Sequence, residues 1–304
     1  MKRLLALLSV LFALVLAGPA GVLAQDGTPV PPTDEVMQFG EDTYAFVSSG
    51  YVSLFVVTDE GVIATDPSSQ FDTERATRLE AAIAAITDQP VRYLIYSHSH
   101  PDHATGGDVF ADTAIFVAHR NAVEKIAALN DPRTPVPSLA FDDFMSIELG
   151  GTVVELYYTG RNHSDNNIVM LVPSAKVLFA VDFIPVNSLL FQDLPDAYPE
   201  EWIESLRWID ENLNFATLVP GHPPVPGTKE NVAQVRGYIE DLIAAVRAAQ
   251  AEGLADNSPE MVESVRTALE PKYGTWNNFD EWLPLNVEGL LRIRSEQTAT
   301  PAAG

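Results

Sequence analysis

The chain has 304 residues, with Lys+Arg 18 against Asp+Glu 42, no cysteine, and a formal net charge of −24. Its 46% hydrophobic content supports a sizeable core and excludes wholesale disorder. The acidic balance excludes a nucleic-acid backbone binder, and the missing cysteines exclude disulfides, thiolate metal sites, a Cys nucleophile and a lipoprotein anchor.

Lys2 and Arg3 precede a nearly unbroken apolar run from Leu4 to Ala17, which Gly18 and Pro19 end. This is the plan of a secretory signal peptide over residues 1–24, cut ahead of Gln25. The expected product is exported, periplasmic or extracellular, with no stable membrane anchor after cleavage. Residues 25–35 are Pro-rich and polar, and read as a flexible lead.

The main body is expected at 36–227. Thr43 to Val47, Val52 to Val57 and Val62 to Thr65 read as paired strands, with Asp59-Glu60-Gly61 as the turn. Thr73 to Ile86 carries a helical stripe through Ala76, Leu79 and Ile83. Val91 to Tyr96 and Ile115 to Ala118 read as buried strands, and Asn121 to Leu129 as a helix. Met145 to Leu149 and Val153 to Tyr158 alternate as strands do. Ile168 to Val172 and Val177 to Val181 form a further pair. Glu200 to Leu213 is helical, and Ala216 to Val219 is the last strand. Residues 228–297 read as C-terminal helices packed on the same domain, the first capped by Thr228, a later one opened by Ser258-Pro259. A disordered tail is expected over 298–304. The pattern is one α/β unit.

The chemistry lies in loops after strands. Tyr93 to Tyr96 runs into Ser97-His98-Ser99-His100-Pro101-Asp102-His103, with three histidines and one aspartate within six residues. Residues two apart in an extended segment point the same way, so His98 and His100 can grip one ion. Past the turn at Pro101, Asp102 and His103 add oxygen and nitrogen donors of the type zinc takes. His163, Asp182 and His222 each sit just past the end of a later strand, where α/β folds collect active sites.

HSHPDH, NHSDNN, LFAVD and VPGH, in that order, resemble the motifs of the metallo-β-lactamase superfamily. The resemblance implies a four-layer αβ/βα sandwich of two mixed sheets with outer helices. It assigns His98, His100 and His163 to one metal and Asp102, His103 and His222 to a second, with Asp182 bridging. Asp66 is expected to orient the HSHPDH loop, and His119 to have a structural or outer-shell role.

With the N-terminal leader, the resemblance implies an exported binuclear zinc hydrolase. Two zinc ions, with iron or manganese as alternatives, would generate hydroxide near neutral pH to attack an ester, lactone, thioester or amide carbonyl. Asp102 would orient the nucleophile and shuttle its proton. The expected partner is a small-molecule substrate. Phe183, Ile184, Leu190 and Phe191, with Leu189 and Tyr198, are expected as an apolar substrate wall, and Arg161 as a cation for a substrate carboxylate. Alternatives are a β-lactamase, a mononuclear iron sulfur dioxygenase and a non-catalytic metal binder. Against the first, Asp182 stands where one β-lactamase subclass has Cys, and Pro185 stands where a Lys would bind the drug carboxylate.

Overall fold

The computed structural model describes residues 33–299. The expected signal peptide and residues 25–32 of the expected lead lie outside the described residues, as does 300–304. The first strands are β1 (Glu35–Phe39), β2 (Thr43–Ser48), β3 (Tyr51–Thr58) and β4 (Gly61–Thr65), followed by helix α1 (Arg75–Ala84) and β5 (Val91–Ile95). A single turn, α2 (Pro101–Ala104), precedes β6 (Ile115–His119), α3 (Arg120–Leu129) and β7 (Leu139–Phe141). These strands form a seven-stranded sheet in sequence order, antiparallel from β1 to β4 and parallel from β4 to β7.

The second sheet has six strands: β8 (Phe144–Leu149), β9 (Thr152–Tyr157), β10 (Val169–Val172), β11 (Val177–Ala180), β12 (Thr217–Pro220) and β13 (Gly227–Thr228). Helix α4 (Pro199–Asn212) joins β11 to the parallel β12. Helices α5 (Glu230–Ala251), α6 (Pro259–Tyr273) and α7 (Phe279–Ala299) follow. The described residues from Asp34 onward belong to one compact unit.

Strand alternation builds the layers. In β3, Val52, Leu54 and Val56 face the space between the sheets, while Phe55 faces α1 and α3. In β11, Val177 and Phe179 face the other sheet, while Leu178 and Ala180 face the helices α4 to α7. Side chains two apart share a face, so one strand feeds two cores. The result is the expected αβ/βα sandwich with additional C-terminal helices.

Several boundaries differ from the sequence reading. β1 begins at Glu35, inside the expected lead, because its backbone pairs with β2 although its side chains are largely exposed. Thr228 belongs to β13 and does not cap α5, whose cap residue Lys229 makes no side-chain cap bond. Ser258 does cap α6, its hydroxyl accepting from Met261 N at 3.2 Å, with Pro259 in the first turn. α7 runs through the expected start of the tail at Thr298 to Ala299. Among the described residues, no helix is long and apolar enough to cross a membrane.

Asp72 holds the entry to α1. Its carboxylate accepts from Arg78 at 2.6 Å and from the backbone N of Glu74 at 3.2 Å, and also from the Ser49 hydroxyl. The Arg78 hydrogen bond, outweighing partial burial, draws its pKa down to about 2. A depressed carboxylate stabilises the fold above its unfolded pKa and loses that effect as pH falls through the folded value. Asp72→Asn is therefore expected to cost about 1–2 kcal/mol at pH 6, after allowance for partial exposure. Urea denaturation should show the difference from wild type shrinking between pH 4 and pH 2. A difference that does not change with pH would refute the pairing.

Candidate metal centre

The loops carrying the predicted donors emerge at one edge of the sandwich. Asp66 follows β4, the 97–103 loop follows β5, His163 follows β9, Asp182 follows β11 and His222 follows β12. Asp66 organises the first of these loops. It is fully buried, and its Oδ1 accepts from Ser97 N at 2.8 Å, while Oδ2 lies 3.9 Å from His103 Nδ1. Its backbone joins in, with Asp66 N donating to Ile95 O and Ser68 N to His103 O.

The structure brings the predicted donors together in two sets. One is His98, His100, His163 and Asp182; the other is Asp102, His103, Asp182 and His222. Within each set the ligating atoms lie within 4.8 Å of one another. Asp182 belongs to both sets. Its oxygens lie 3.1 Å from His103 Nε2 and 3.1 Å from His222 Nε2, with His163 Nε2 at 3.6 Å and His98 Nε2 at 3.9 Å.

Most of these histidines have one nitrogen held by the protein and the other turned inward. His98 Nδ1 meets the Ser97 hydroxyl at 2.9 Å, and His222 Nδ1 meets Gly50 O at 2.8 Å. His100 Nε2 meets Asp196 Oδ2 at 3.0 Å, leaving Nδ1 at 3.1 Å from His163 Nε2. Fixing one ring nitrogen sets the tautomer and orientation of a ligating imidazole. Close approach also requires small residues: a Cβ on Gly221 would fall 2.6 Å from Val181 and 3.1 Å from Asp182 Oδ1.

Burial is severe and the polar atoms are not satisfied. His98 Nε2, both ring nitrogens of His103 and Asp182 Oδ1 are buried without an aligned hydrogen-bond partner. Orphaned buried polar atoms are rare because each forfeits its hydration. Here they converge on the same small volume and consist of imidazole and carboxylate, so the residues present fit divalent cations. The electrostatics agree. Burial, reinforced by the neighbouring imidazoles, pushes His98 well below its ordinary pKa and His163 down to about 4, which keeps both imidazoles neutral near neutral pH, the form that can accept a cation. Burial alone would protonate Asp182, but His103 and His222 hold it well below the usual carboxylate range. Asp182 also sits in the left-handed region at φ 55°, a strain tolerated where the surroundings fix the residue.

A family model described as the metallo-beta-lactamase superfamily matches residues 47–222. The chain belongs to the metallo-beta-lactamase superfamily. Together with the donor set, that membership makes it a metal-dependent, hydrolase-like enzyme. Among its relatives, the alpha subunit of 2,4-dinitroanisole O-demethylase from Nocardioides sp. is 26% identical over 77% of this chain and 72% of that protein. A metallo-beta-lactamase type 2 from Bacteroides fragilis is 26% identical over 79% of this chain and 98% of that protein. A solved metallo-beta-lactamase from Pontibacter korlensis superposes with TM-score 0.59 at 21% identity, covering 68% of this chain and 99% of that one, and shares the fold.

The expected substrate wall needs correction. A groove of about 810 Å³ opens beside the donors, lined in part by Leu189, Phe191 and Pro185. Phe183, Ile184 and Leu190 do not line it: all three are buried in the core under α4 to α7. Arg161 is also absent from the lining. It is bound to Glu201 and stacked 4.3 Å from the Tyr198 ring centre. Tyr198 does not line the groove either. His119 accepts from Asn121 N at the start of α3 and stacks on Tyr158 at 3.9 Å.

Four supporting residues, Asn166, Asn167, Asp196 and Tyr51, escaped the sequence reading. Asn166 Oδ1 accepts from Ser99 N at 2.8 Å, and Asn167 donates to Val181 O at 2.8 Å, tying the His163 loop to the two others. The asparagine-rich run was the signal for this. Asp196 has no comparable signal, being one acid among many in a loop. Tyr51 lines the groove, and burial followed by Asp102 and Asp182 keeps its hydroxyl protonated.

Asp196→Ala is expected to weaken metal binding about 10–100-fold, because His100 loses the carboxylate that orients it. Competition with a coloured chelator measures this, and an unchanged affinity would remove Asp196 from the site.

Proposed function

We propose that this chain is an exported zinc hydrolase acting on an ester, lactone, thioester or amide, with one ion held by His98, His100 and His163 and a second by Asp102, His103 and His222. The observation that carries the reading is the sharing of Asp182 by both donor sets. The ions, when bound, supply Lewis-acid activation of water and of the scissile carbonyl. The chain's own residues then do the positioning. Asp102 lines the groove 3.5 Å from His103 Nε2, where its carboxylate takes the proton shed by the attacking water and returns it to the leaving group. Tyr51 remains a phenol and hence a donor beside the reacting group. Export rests on the Lys2-Arg3 start and the apolar run after it.

A β-lactamase reading has one observation in its favour, the alignment across nearly the whole Bacteroides enzyme. Against it, Pro185 stands where a carboxylate-binding Lys is needed, and among the described residues no Lys or Arg lines the groove. The experiment is metal analysis of the mature protein, followed by a panel of a lactone, a thioester, an ester, an amide and a β-lactam on wild type and His100→Ala. The reading expects about two zinc ions per chain and turnover of at least one non-lactam carbonyl, lost in His100→Ala. Bound iron with oxygen uptake on a persulfide would replace it with the dioxygenase alternative. A fully metallated protein inert on every class would leave a metal binder.

A further inference from the structure

The groove beside the donors has two features that the family match does not account for. The first is its chemistry. Its lining includes Phe71, which is 77% exposed, and Phe191, which is 48% exposed, with Trp282 packed edge-on to Phe191 at 5.5 Å. Large aromatic rings left in water beside a reactive centre mark a surface that a ligand covers. The ionisable groups in the lining are Asp102, Asp182, His100, His163, His222 and Tyr51; among the described residues, no Lys or Arg lines it. A substrate carboxylate therefore finds no side-chain cation on these walls.

The second feature is its origin. The family match ends at residue 222, yet Asn277, Asn278 and Trp282 line the groove. The same C-terminal segment shapes the loop that bears Phe191. Asn286 donates to Leu190 O and Gln192 O, and Arg292 donates to Asp193 O and Leu194 O. Asp193 O approaches α7 so closely that a Cβ on Gly289 would meet it at 2.0 Å. Asn187, Gln192 and Leu194 all adopt left-handed backbone, which a free loop would shed. α7 thus supplies one aromatic wall directly and fixes the loop that supplies its neighbour.

We propose that the groove selects an uncharged carbonyl compound whose apolar chain lies along Phe191 and Trp282 and faces Phe71, and that α7 is the element that sets this preference. The reaction it serves rests on the hydrolase reading above. For a lactone, water adds to the carbonyl carbon and the ring C–O bond breaks. The ring oxygen takes a proton, and the product is a hydroxy acid that loses its own proton to water. The wall that accepts the neutral substrate offers no cation to the anionic product, which favours release.

The test uses the zinc-supplemented mature protein with γ-butyrolactone, γ-decalactone and 4-hydroxydecanoate, the ring-opened anion of the second. Turnover is followed by acid release, and binding by tryptophan fluorescence, with Trp282→Phe to identify the reporter. The inference expects kcat/KM for the decalactone to exceed that for the butyrolactone at least tenfold. It expects the decalactone to bind at least tenfold more tightly than 4-hydroxydecanoate. Phe191→Ala and Trp282→Ala should each shrink the decalactone-to-butyrolactone ratio several-fold, and Phe191→Lys should reverse the preference between lactone and anion. Equal rates on both lactones, or tighter binding of the anion to wild type, would overturn the inference and leave the hydrolase reading intact. Wall-dependent binding of the decalactone without turnover would uphold the groove and defeat the hydrolase reading for lactones.

Discussion

Asp182→Asn is expected to lower metal affinity at least about 10³-fold and kcat/KM by about 10²–10⁴ while leaving the fold intact. The size of the effect follows from position. Asp182 is the one carboxylate common to both donor sets, and four imidazole nitrogens lie between 3.1 and 3.9 Å from its oxygens. Asparagine keeps the shape but supplies no negative charge to hold cations in a buried pocket. It also tolerates the left-handed backbone at φ 55°, so the substitution isolates charge from conformation. Metal content after dialysis, chelator competition and a circular-dichroism melt of the metal-free protein measure the three parts. Wild-type metal content with wild-type turnover would mean that Asp182 bridges nothing.

The second large effect is on stability. Arg75→Met is expected to cost about 3–5 kcal/mol in urea denaturation. Arg75 is fully buried, and its hydrogen bonds run to neutral oxygens. Its guanidinium donates to Ser48 O at 3.1 Å, Ser53 Oγ at 2.9 Å and Pro67 O at 2.8 Å. Burial pulls its pKa down to about 10, which still leaves it charged at neutral pH. Methionine fills much of the volume but leaves those buried acceptors unpaired. Lysine restores the charge without the planar fork, so Arg75→Lys should fall between the two. The damage should reach the metal centre, because Ser53 Oγ donates to Asp66 O and Pro67 follows Asp66. An Arg75→Met protein of wild-type stability would contradict this account.

What was legible in the sequence divides along a physical line. The donors were legible because metal chemistry needs particular side chains at particular spacings, and HSHPDH is too dense a cluster for a surface. The central strands were legible because alternation or an unbroken apolar run marks a strand covered on one or both faces. β1 carried little such signal, since its side chains are largely exposed and backbone pairing alone holds it. The groove wall was misread for a related reason. Phe183, Ile184 and Leu190 are as apolar as Phe191, and hydrophobicity along a chain does not say which side of an irregular loop faces a helix. Around Leu190 and Phe191 the backbone is held by Asn286 and Arg292, far along the chain on α7, and Phe183 O is held by Trp202 on α4. Asp196 acts through its contact to His100, and Arg75 through several hydrogen bonds to β2, to β3 and to Pro67 after β4, none of which local patterns encode.

A structure of the zinc-soaked protein with anomalous scattering at the zinc edge bears most directly on the claim that the scattered donors serve a shared pair of ions. The account predicts two peaks, one within His98, His100 and His163 and one within Asp102, His103 and His222, with Asp182 in contact with both. Zinc bound elsewhere, or His163, Asp182 and His222 turned away from the 97–103 loop, would contradict it.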